Sequence, residues 1–287
     1  MEQERVAWSS SGHVSPSSGH VSSPSPSRHV AVFLRLPVSG QVKTRLMAGL
    51  GGDGAARAAR FYGACAVHVL GEALRCASVA CVWVFYSRAE EGPEVEAWVR
   101  GSVAFSANSG GNRVRFRAQR GDTADLGAKM WDAFGEVFSE VNAAANVVLV
   151  GTDVPGVRSR DLEGAFSLLE DSEHEVVVGP AEDGGYWAIG MGDRRDSEGV
   201  RGLLIGKRAP VWSTPCVLQD TVKAAAHGGV KLCVNGMRVL ADIDTREDLE
   251  AWVHSREHAL EGDEGDEGDE GDEGDSALLS VARDVLS

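Results

Sequence analysis

The sequence predicts an α/β protein with helices on both faces of a mostly parallel sheet. Three observations carry this. Strand-like and helix-like segments alternate between residues 29 and 260, the signature of crossover connections. The early strands are continuous apolar runs rather than alternating ones, as strands covered on both faces require. The length between those limits suits one domain around one continuous core.

The elements follow in order. Residues 30–36 (VAVFLRL) are short, apolar and rich in β-branched side chains, and Pro37 and Gly40 end them. A helical pattern over 54–76 precedes a strand at 79–86. Helix 93–100, strand 114–118, helix 126–142, strand 147–151, helix 159–171 and strand 175–179 continue the alternation. Strand patterns at 186–190 and 231–234 are weaker, and helical patterns cover 217–227 and 245–259. Ser159 or Asp161 is the expected cap of the helix near 160, and Thr245-x-x-Asp248 resembles a capping box.

Both ends look non-globular. Residues 1–28 are rich in Ser, Pro, Gly and His, repeat Gly-His-Val-Ser at 12–15 and 19–22, and are expected to be disordered. From Glu261 to Asp275, Glu-Gly-Asp repeats five times and contributes ten carboxylates. The formal charge of −15 is therefore mostly a property of this run, which reads as an extended linker. Residues 277–286 beyond it fit a short amphipathic helix. The start has no apolar run suited to a secretory signal, and no stretch approaches the length of a membrane span. The five cysteines form no Cys-x-x-Cys pair and no zinc spacing; they read as reduced, buried thiols of a reducing compartment, the cytoplasm, with import into an organelle as the alternative. No basic stripe or aromatic ladder suits nucleic acid, and no Gly-x-Ser-x-Gly elbow suits a serine hydrolase.

Four motifs bear chemistry. Lys43 and Arg45 follow the first strand, at the edge where open α/β sheets bind ligands. They read either as a phosphate site or as ordinary surface charges. A P-loop is excluded, because Val42 stands where the second glycine belongs. Asp153 lies just past the strand at 147–151, where a carboxylate binds a divalent cation or caps a turn. Asp183 precedes Gly184 and Gly185; the pattern fits a ligand-approach loop with an acceptor-binding or basic carboxylate, and equally a hairpin turn. Asp242 and Asp244 lie on one side of an extended segment and are candidates to complete a metal site with Asp153. Asp248 reads as a helix-start charge. The loop carrying Asp125 and Gly127 opens a helix toward a possible anion. Trp212 fits a pocket wall or the core.

Taken in this order, the motifs resemble the DUF2064 family, also labelled radical-SAM/selenodomain-associated transferase 1 or arsenosugar-biosynthesis glycosyltransferase. The resemblance spans about residues 30–250. It rests on Pro37-Val-Ser-Gly-Gln-Val-Lys-Thr-Arg-Leu46, Asp125-Leu-Gly127 with Met130, Gly151-Thr-Asp-Val-Pro155, Gly179-Pro-Ala-Glu-Asp-Gly-Gly-Tyr186, Trp212-Ser-Thr214 and Asp242-Ile-Asp-Thr245. It implies a three-layer αβα Rossmann-like fold of the GT-A, nucleotide-diphospho-sugar transferase, type. It further implies a divalent cation, Mg²⁺ or Mn²⁺, on Asp153, with Asp242 or Asp244 as the second carboxylate. Lys43 and Arg45, with Pro37, Gly40, Asp125 and Gly127, would face the nucleotide, and Gly184, Gly185, Tyr186 and Trp212 the acceptor.

The function expected from this is a metal-dependent glycosyltransferase using a nucleotide-sugar donor and a small-molecule acceptor, with Lys43, Arg45 and Asp183 at the chemistry. The alternative is a nucleotidyltransferase joining an NTP to a phosphorylated small molecule. A non-catalytic binding protein on the same fold is the third reading. Neither nucleic acid nor a membrane span is expected.

Overall fold

The computed structural model describes residues 25–103, 113–120, 125–141, 144–171, 173–194, 196–262 and 272–287. The expected disorder of residues 1–28 falls, except for the last four, outside the described residues. So does most of the Glu-Gly-Asp run.

The chain runs β1 (Ser27–Leu34), α1 (Thr44–Leu50), α2 (Gly54–Arg75), β2 (Val79–Tyr86), α3 (Gly92–Ser102), β3 (Val114–Ala118), α4 (Leu126–Val141) and β4 (Ala145–Val150). It continues α5 (Ser159–Glu170), β5 (Val176–Pro180), β6 (Tyr186–Gly192), α6 (Glu198–Leu204), α7 (Val217–Gly228), β7 (Leu232–Cys233), α8 (Arg246–Gly262) and α9 (Asp272–Leu286). The strands form one sheet in the order β3-β2-β1-β4-β6-β5-β7. The pairs β1–β2, β2–β3, β1–β4 and β5–β7 are parallel. Strand β6 is antiparallel to both neighbours because a tight hairpin reverses the chain after β5.

Successive strand residues point to opposite faces, and each face is buried by its own helix layer. Val30, Val32, Val82, Val84, Val148 and Val150 pack with side chains of α2, α3 and α5. Ala31, Trp83, Phe85, Val147 and Leu149 pack with α4, α6 and α7 on the other side. Two buried faces explain the continuous apolar runs. A third cluster lies at one end, where α1, α2, α8 and α9 meet.

Several details differ from expectation. Helices α1 and α6, seven residues each, were not anticipated. Strand β1 starts and ends earlier than 30–36. Helix α9 starts at Asp272, within the acidic repeat, rather than near 277. Cys216 is exposed, so the five cysteines are not uniformly buried. The expected Thr245/Asp248 capping box forms: Asp248 Oδ2 accepts from the Thr245 amide (2.7 Å) and Thr245 Oγ1 from the Asp248 amide (3.2 Å). At α5 the N-cap is Arg158 rather than Ser159 or Asp161, and Asp161, in the first turn, accepts from the Arg158 amide through Oδ2 (2.8 Å).

Candidate active site

Strand order reverses between β1 and β4. From β1 the chain builds outward through β2 and β3, then returns to place β4 on the other flank of β1. The carboxyl ends of β1 and β4 therefore open a crevice, the place where such sheets bind ligands. Lys43 follows β1 and Asp153 follows β4.

The structure brings Lys43, Arg45, Asp153 and Asp244 together. Lys43 Nζ donates to Asp244 Oδ1 at 2.7 Å and to Asp153 Oδ2 at 3.2 Å. Its side chain is 5% exposed, whereas that of Arg45 is 72% exposed and reaches Asp244 Oδ2 at 3.4 Å. Burial alone would lower the Lys43 pKa, but the two carboxylates more than offset it and the net shift is upward. Lys43 stays charged.

Lys43 also holds a left-handed backbone conformation, φ 48°. A long unbranched side chain is uncommon there and costs on the order of 1 kcal/mol or more. Ser213, φ 63°, is the other non-glycine residue in this region among the described residues, and it adjoins Trp212. Strain of this kind concentrates where a site over-determines its backbone.

Asp153 is framed from behind. A Cβ on Gly151 would lie 2.8 Å from Asp153 Oδ1, so the glycine makes room for that carboxylate. Thr152 Oγ1 donates to the Phe33 carbonyl of β1 at 3.2 Å. The buried Tyr62 hydroxyl on α2 accepts from the Arg35 amide (2.9 Å) and pairs with Thr152 Oγ1 (2.8 Å). Tyr62 also packs against Val42, the residue before Lys43. One phenol thus ties both edges of the crevice. The sequence reading missed Tyr62 and Thr152; the available signal was a hydroxyl on the apolar face of α2 and a Thr between Gly151 and Asp153.

The segment around residues 240–244 closes the third side. The Ile243 amide donates to the Asp153 carbonyl (3.0 Å), and Leu240 pairs with Pro180 and Glu182 at the hairpin. This carries Asp242 beside Asp183. Asp242 is pushed up to about 6 by desolvation and by the charges of Asp183, Asp244 and Asp153. The four aspartates therefore share one electrostatic neighbourhood.

Asp183 sits exposed at the β5–β6 hairpin tip, and its Oδ1 accepts from the Gly185 amide at 2.8 Å. The hairpin reading of this motif is therefore correct as local structure. Gly184 has φ +87°, and a Cβ there would lie 2.1 Å from the Pro215 carbonyl oxygen. This contact seats the hairpin against the loop carrying Trp212, whose ring meets Tyr186 edge-on at 6.2 Å.

The remaining candidates have visible structural duties. Asp125 Oδ1 caps α4 by accepting from the amides of Gly127 (2.8 Å) and Ala128 (3.3 Å). Gly127 has no room for a side chain, since a Cβ would sit 1.8 Å from the Leu204 carbonyl oxygen. Pro37 lies against Gly63 of α2, and Gly40, φ +80°, occupies an exposed turn.

A divalent cation can be tested against this donor set. All candidate ligands are hard carboxylate oxygens, as Mg²⁺ and Mn²⁺ prefer. Asp242 is raised first by burial and then by the charges of Asp183, Asp244 and Asp153, so a cation there would meet clustered negative charge. The chemistry fits, although among the described residues no three His, Cys, Asp or Glu groups form a ready-made metal cage.

Comparison with known proteins agrees with this architecture. Residues 72–202 match the DUF2064 family model, described as an uncharacterized protein conserved in bacteria. The DUF2064 match includes Asp125, Asp153, Asp183 and Tyr186, and leaves Lys43, Arg45, Asp242 and Asp244 outside it. The fold resembles the crystal structure of a candidate nucleotide-diphospho-sugar transferase from Desulfovibrio desulfuricans G20. That similarity has TM-score 0.68 and 24% identity, over 91% of this chain and 97% of that one. A looser similarity, TM-score 0.47 and 17% identity, links it to a CMP:2-keto-3-deoxy-manno-octonic acid synthetase complexed with CTP, over 80% of this chain and 99% of that one. No curated protein matches the sequence. The fold is thus a three-layered α/β arrangement shared with the Desulfovibrio structure. No helix among the described residues is long and apolar enough to cross a membrane.

Proposed function

We propose that this chain is a nucleotide-utilising transferase of the GT-A type, and that it moves a glycosyl group from a nucleotide-sugar to a small-molecule acceptor. The observation that carries the reading is Lys43 Nζ, buried between Asp153 and Asp244 at the point where the sheet reverses its strand order. A desolvated, permanently charged ammonium beside carboxylates suits a pyrophosphoryl group. The Desulfovibrio protein of similar fold, itself a candidate nucleotide-diphospho-sugar transferase, supports this reading.

In this reading Lys43 and the exposed Arg45 hold the diphosphate and balance the charge that develops on it as it leaves. Asp153, with Asp242 and Asp244, would hold a Mg²⁺ or Mn²⁺, which supplies further positive charge to the leaving diphosphate. The acceptor hydroxyl replaces the nucleoside diphosphate at the anomeric carbon and gives up its proton to the Asp183 carboxylate. Asp183, at the hairpin tip and 2.8 Å from its own Gly185 amide, is the carboxylate assigned to orient that hydroxyl. Tyr186 and Trp212 would line the acceptor side. Residues 29–260 form the transferase domain in this proposal, with 1–28 and 261–287 as appendages.

The test is calorimetric titration of the purified chain with UDP-, GDP- and TDP-sugars in Mn²⁺, then product detection with candidate acceptors. Binding of at least one donor supports the reading, and binding of none refutes it. One observation favours a second reading: two adjacent cations, one buried and one exposed, also suit the β- and γ-phosphates of an NTP. Pyrophosphate release from an NTP and a phosphate ester would then replace nucleoside diphosphate release. Unchanged nucleotide binding and thermal stability in Asp153→Ala would favour a non-catalytic role.

A further inference from the structure

We propose that helix α9 positions the loops of this site, so that its docking sets how tightly the crevice holds nucleotide phosphates. The inference rests on the function proposed above and concerns a part of the chain that function does not use.

The argument starts from the α9 stripe. Leu278, Leu279, Ala282 and Val285 recur at helical spacing, and all are at most 4% exposed. They bury themselves in the cluster that also contains Leu46, Leu50, Phe61 and Ile243. Leu46 and Leu50 are the core-facing residues of α1, the helix that begins one residue after Lys43 and contains Arg45. Ile243 lies between Asp242 and Asp244. The cluster therefore underlies both halves of the phosphate-facing geometry, and α9 covers it.

Polar contacts tie the same pieces together. Arg57 Nη2 donates to the Leu50 carbonyl at 2.7 Å, and Arg57 Nη1 donates to the Val285 carbonyl at 2.8 Å. One guanidinium thus spans the end of α1 and the end of α9. Arg60 pairs with Asp284 at 2.9 Å, and Arg283 pairs with Glu257 of α8 at 2.8 Å. A groove of about 890 Å³ runs beside this joint, with Ala277, Leu278 and Val281 on one wall and Pro37 and Ser39, from the loop that leads to Lys43, on another.

Lys43 adopts a left-handed conformation that needs support from its surroundings. Short α1 has little stability of its own; it packs on α2 and α8, the same two helices against which α9 docks. Undocking α9 would release α1 and the 240–244 segment while the sheet core, buried under α2 to α7, stays formed.

The experiment uses the full chain with Ala282→Asp, which places a charge at a fully buried contact. Amide hydrogen exchange and UDP or UTP titration in Mn²⁺ are read on the native chain and the variant. Faster exchange in 44–50 and 240–245, unchanged exchange in β1 and β4, and a nucleotide Kd raised at least tenfold support the proposal. A peptide of residues 272–287, added in trans, restores both readouts, which a general loss of stability would not allow. Fast exchange confined to 272–286, or an unchanged Kd, overturns it. If Ala282→Asp fails to fold, the milder Leu279→Ala and Val285→Ala decide. A Kd that rises with packing lost supports the proposal, and a constant Kd overturns it. If the native chain binds no nucleotide, the function reading fails, and the exchange arm still decides whether α9 holds these loops.

Discussion

Replacing Lys43 by Asn separates its electrostatic role from its backbone role. Asn tolerates the left-handed region better than Lys does, so φ 48° adds no new strain. The substitution removes two charge-assisted hydrogen bonds, at 2.7 and 3.2 Å. Each is worth about 1.5–3 kcal/mol when well buried. Here Lys43 is 5% exposed but Asp153 and Asp244 are 42% and 33% exposed, so solvent takes up part of the loss. The net cost to stability is then about 1–2 kcal/mol, a fall in Tm of a few degrees for a domain of this size. The effect on ligand is larger. A phosphate loses its buried cation and meets Asp153 unpaired and Asp244 held only by the exposed Arg45, which corresponds to about 2–3 kcal/mol, or roughly 30- to 150-fold in Kd. Arg45→Ala, at an exposed position, should cost less than tenfold. Isothermal titration with UDP and UTP, paired with thermal unfolding, reads both quantities. Unchanged nucleotide affinity in Lys43→Asn would refute the phosphate role. A Tm loss far beyond a few degrees would mark Lys43 as a structural ion pair instead.

Three further predictions use other parts of the molecule. His29 is buried, accepts from the Trp83 indole at 3.3 Å and pairs with Ser27 Oγ at 3.0 Å; burial, then Arg115, pushes it down to about 4. The unfolded chain binds this proton from about pH 6.5 and the folded chain only near 4, so stability is complete above pH 6.5 and is lost as pH falls toward 4. The loss is about 3 kcal/mol, and urea unfolding of His29→Gln should lack that component of the slope. Tyr62→Phe removes the hydroxyl joining Arg35 and Thr152; it should cost about 1–2 kcal/mol in urea unfolding and weaken nucleotide binding severalfold, and no change in binding would free the crevice from this tie. Gly40 and Gly184 share a similar φ but differ in surroundings. Gly40→Ala should cost about 1 kcal/mol, whereas Gly184→Ala, blocked by the Pro215 carbonyl, should cost clearly more, and equal costs would contradict the close approach.

Much of the fold was legible in the sequence. Strands β2 and β3 match their apolar runs residue for residue, and α2, α4 and α5 lie within a residue or so of their periodic segments. Helices α1 and α6 escaped because seven residues give barely two turns of periodicity. The antiparallel direction of β6 was legible only through its turn, since an apolar run carries no direction. The role of α9 was hidden by the acidic stretch that precedes it, because partners of an amphipathic stripe are not written in the stripe.

The site was legible as a set of residue types and illegible as contacts. Lys43, Asp153 and Asp244 stand out as ionic residues beside apolar runs, yet they are separated by 110 and 201 positions along the chain. Their meeting depends on the strand order. Asp183 held two meanings in sequence, a turn former and an acceptor ligand, and the structure establishes the first while leaving its carboxylate exposed near Asp242. Asp125 and Gly127 show the converse: a cap and a tight helix contact account for both locally.

A crystal structure of the chain with Mn²⁺ and a nucleoside diphosphate tests the central claim most directly. The account predicts phosphate oxygens within hydrogen-bond distance of Lys43 Nζ, in the crevice between the ends of β1 and β4, with the ion on Asp153. A nucleotide seated elsewhere, such as the groove beside α2, α3 and α9, with the Lys43–Asp153–Asp244 contacts intact, would contradict it.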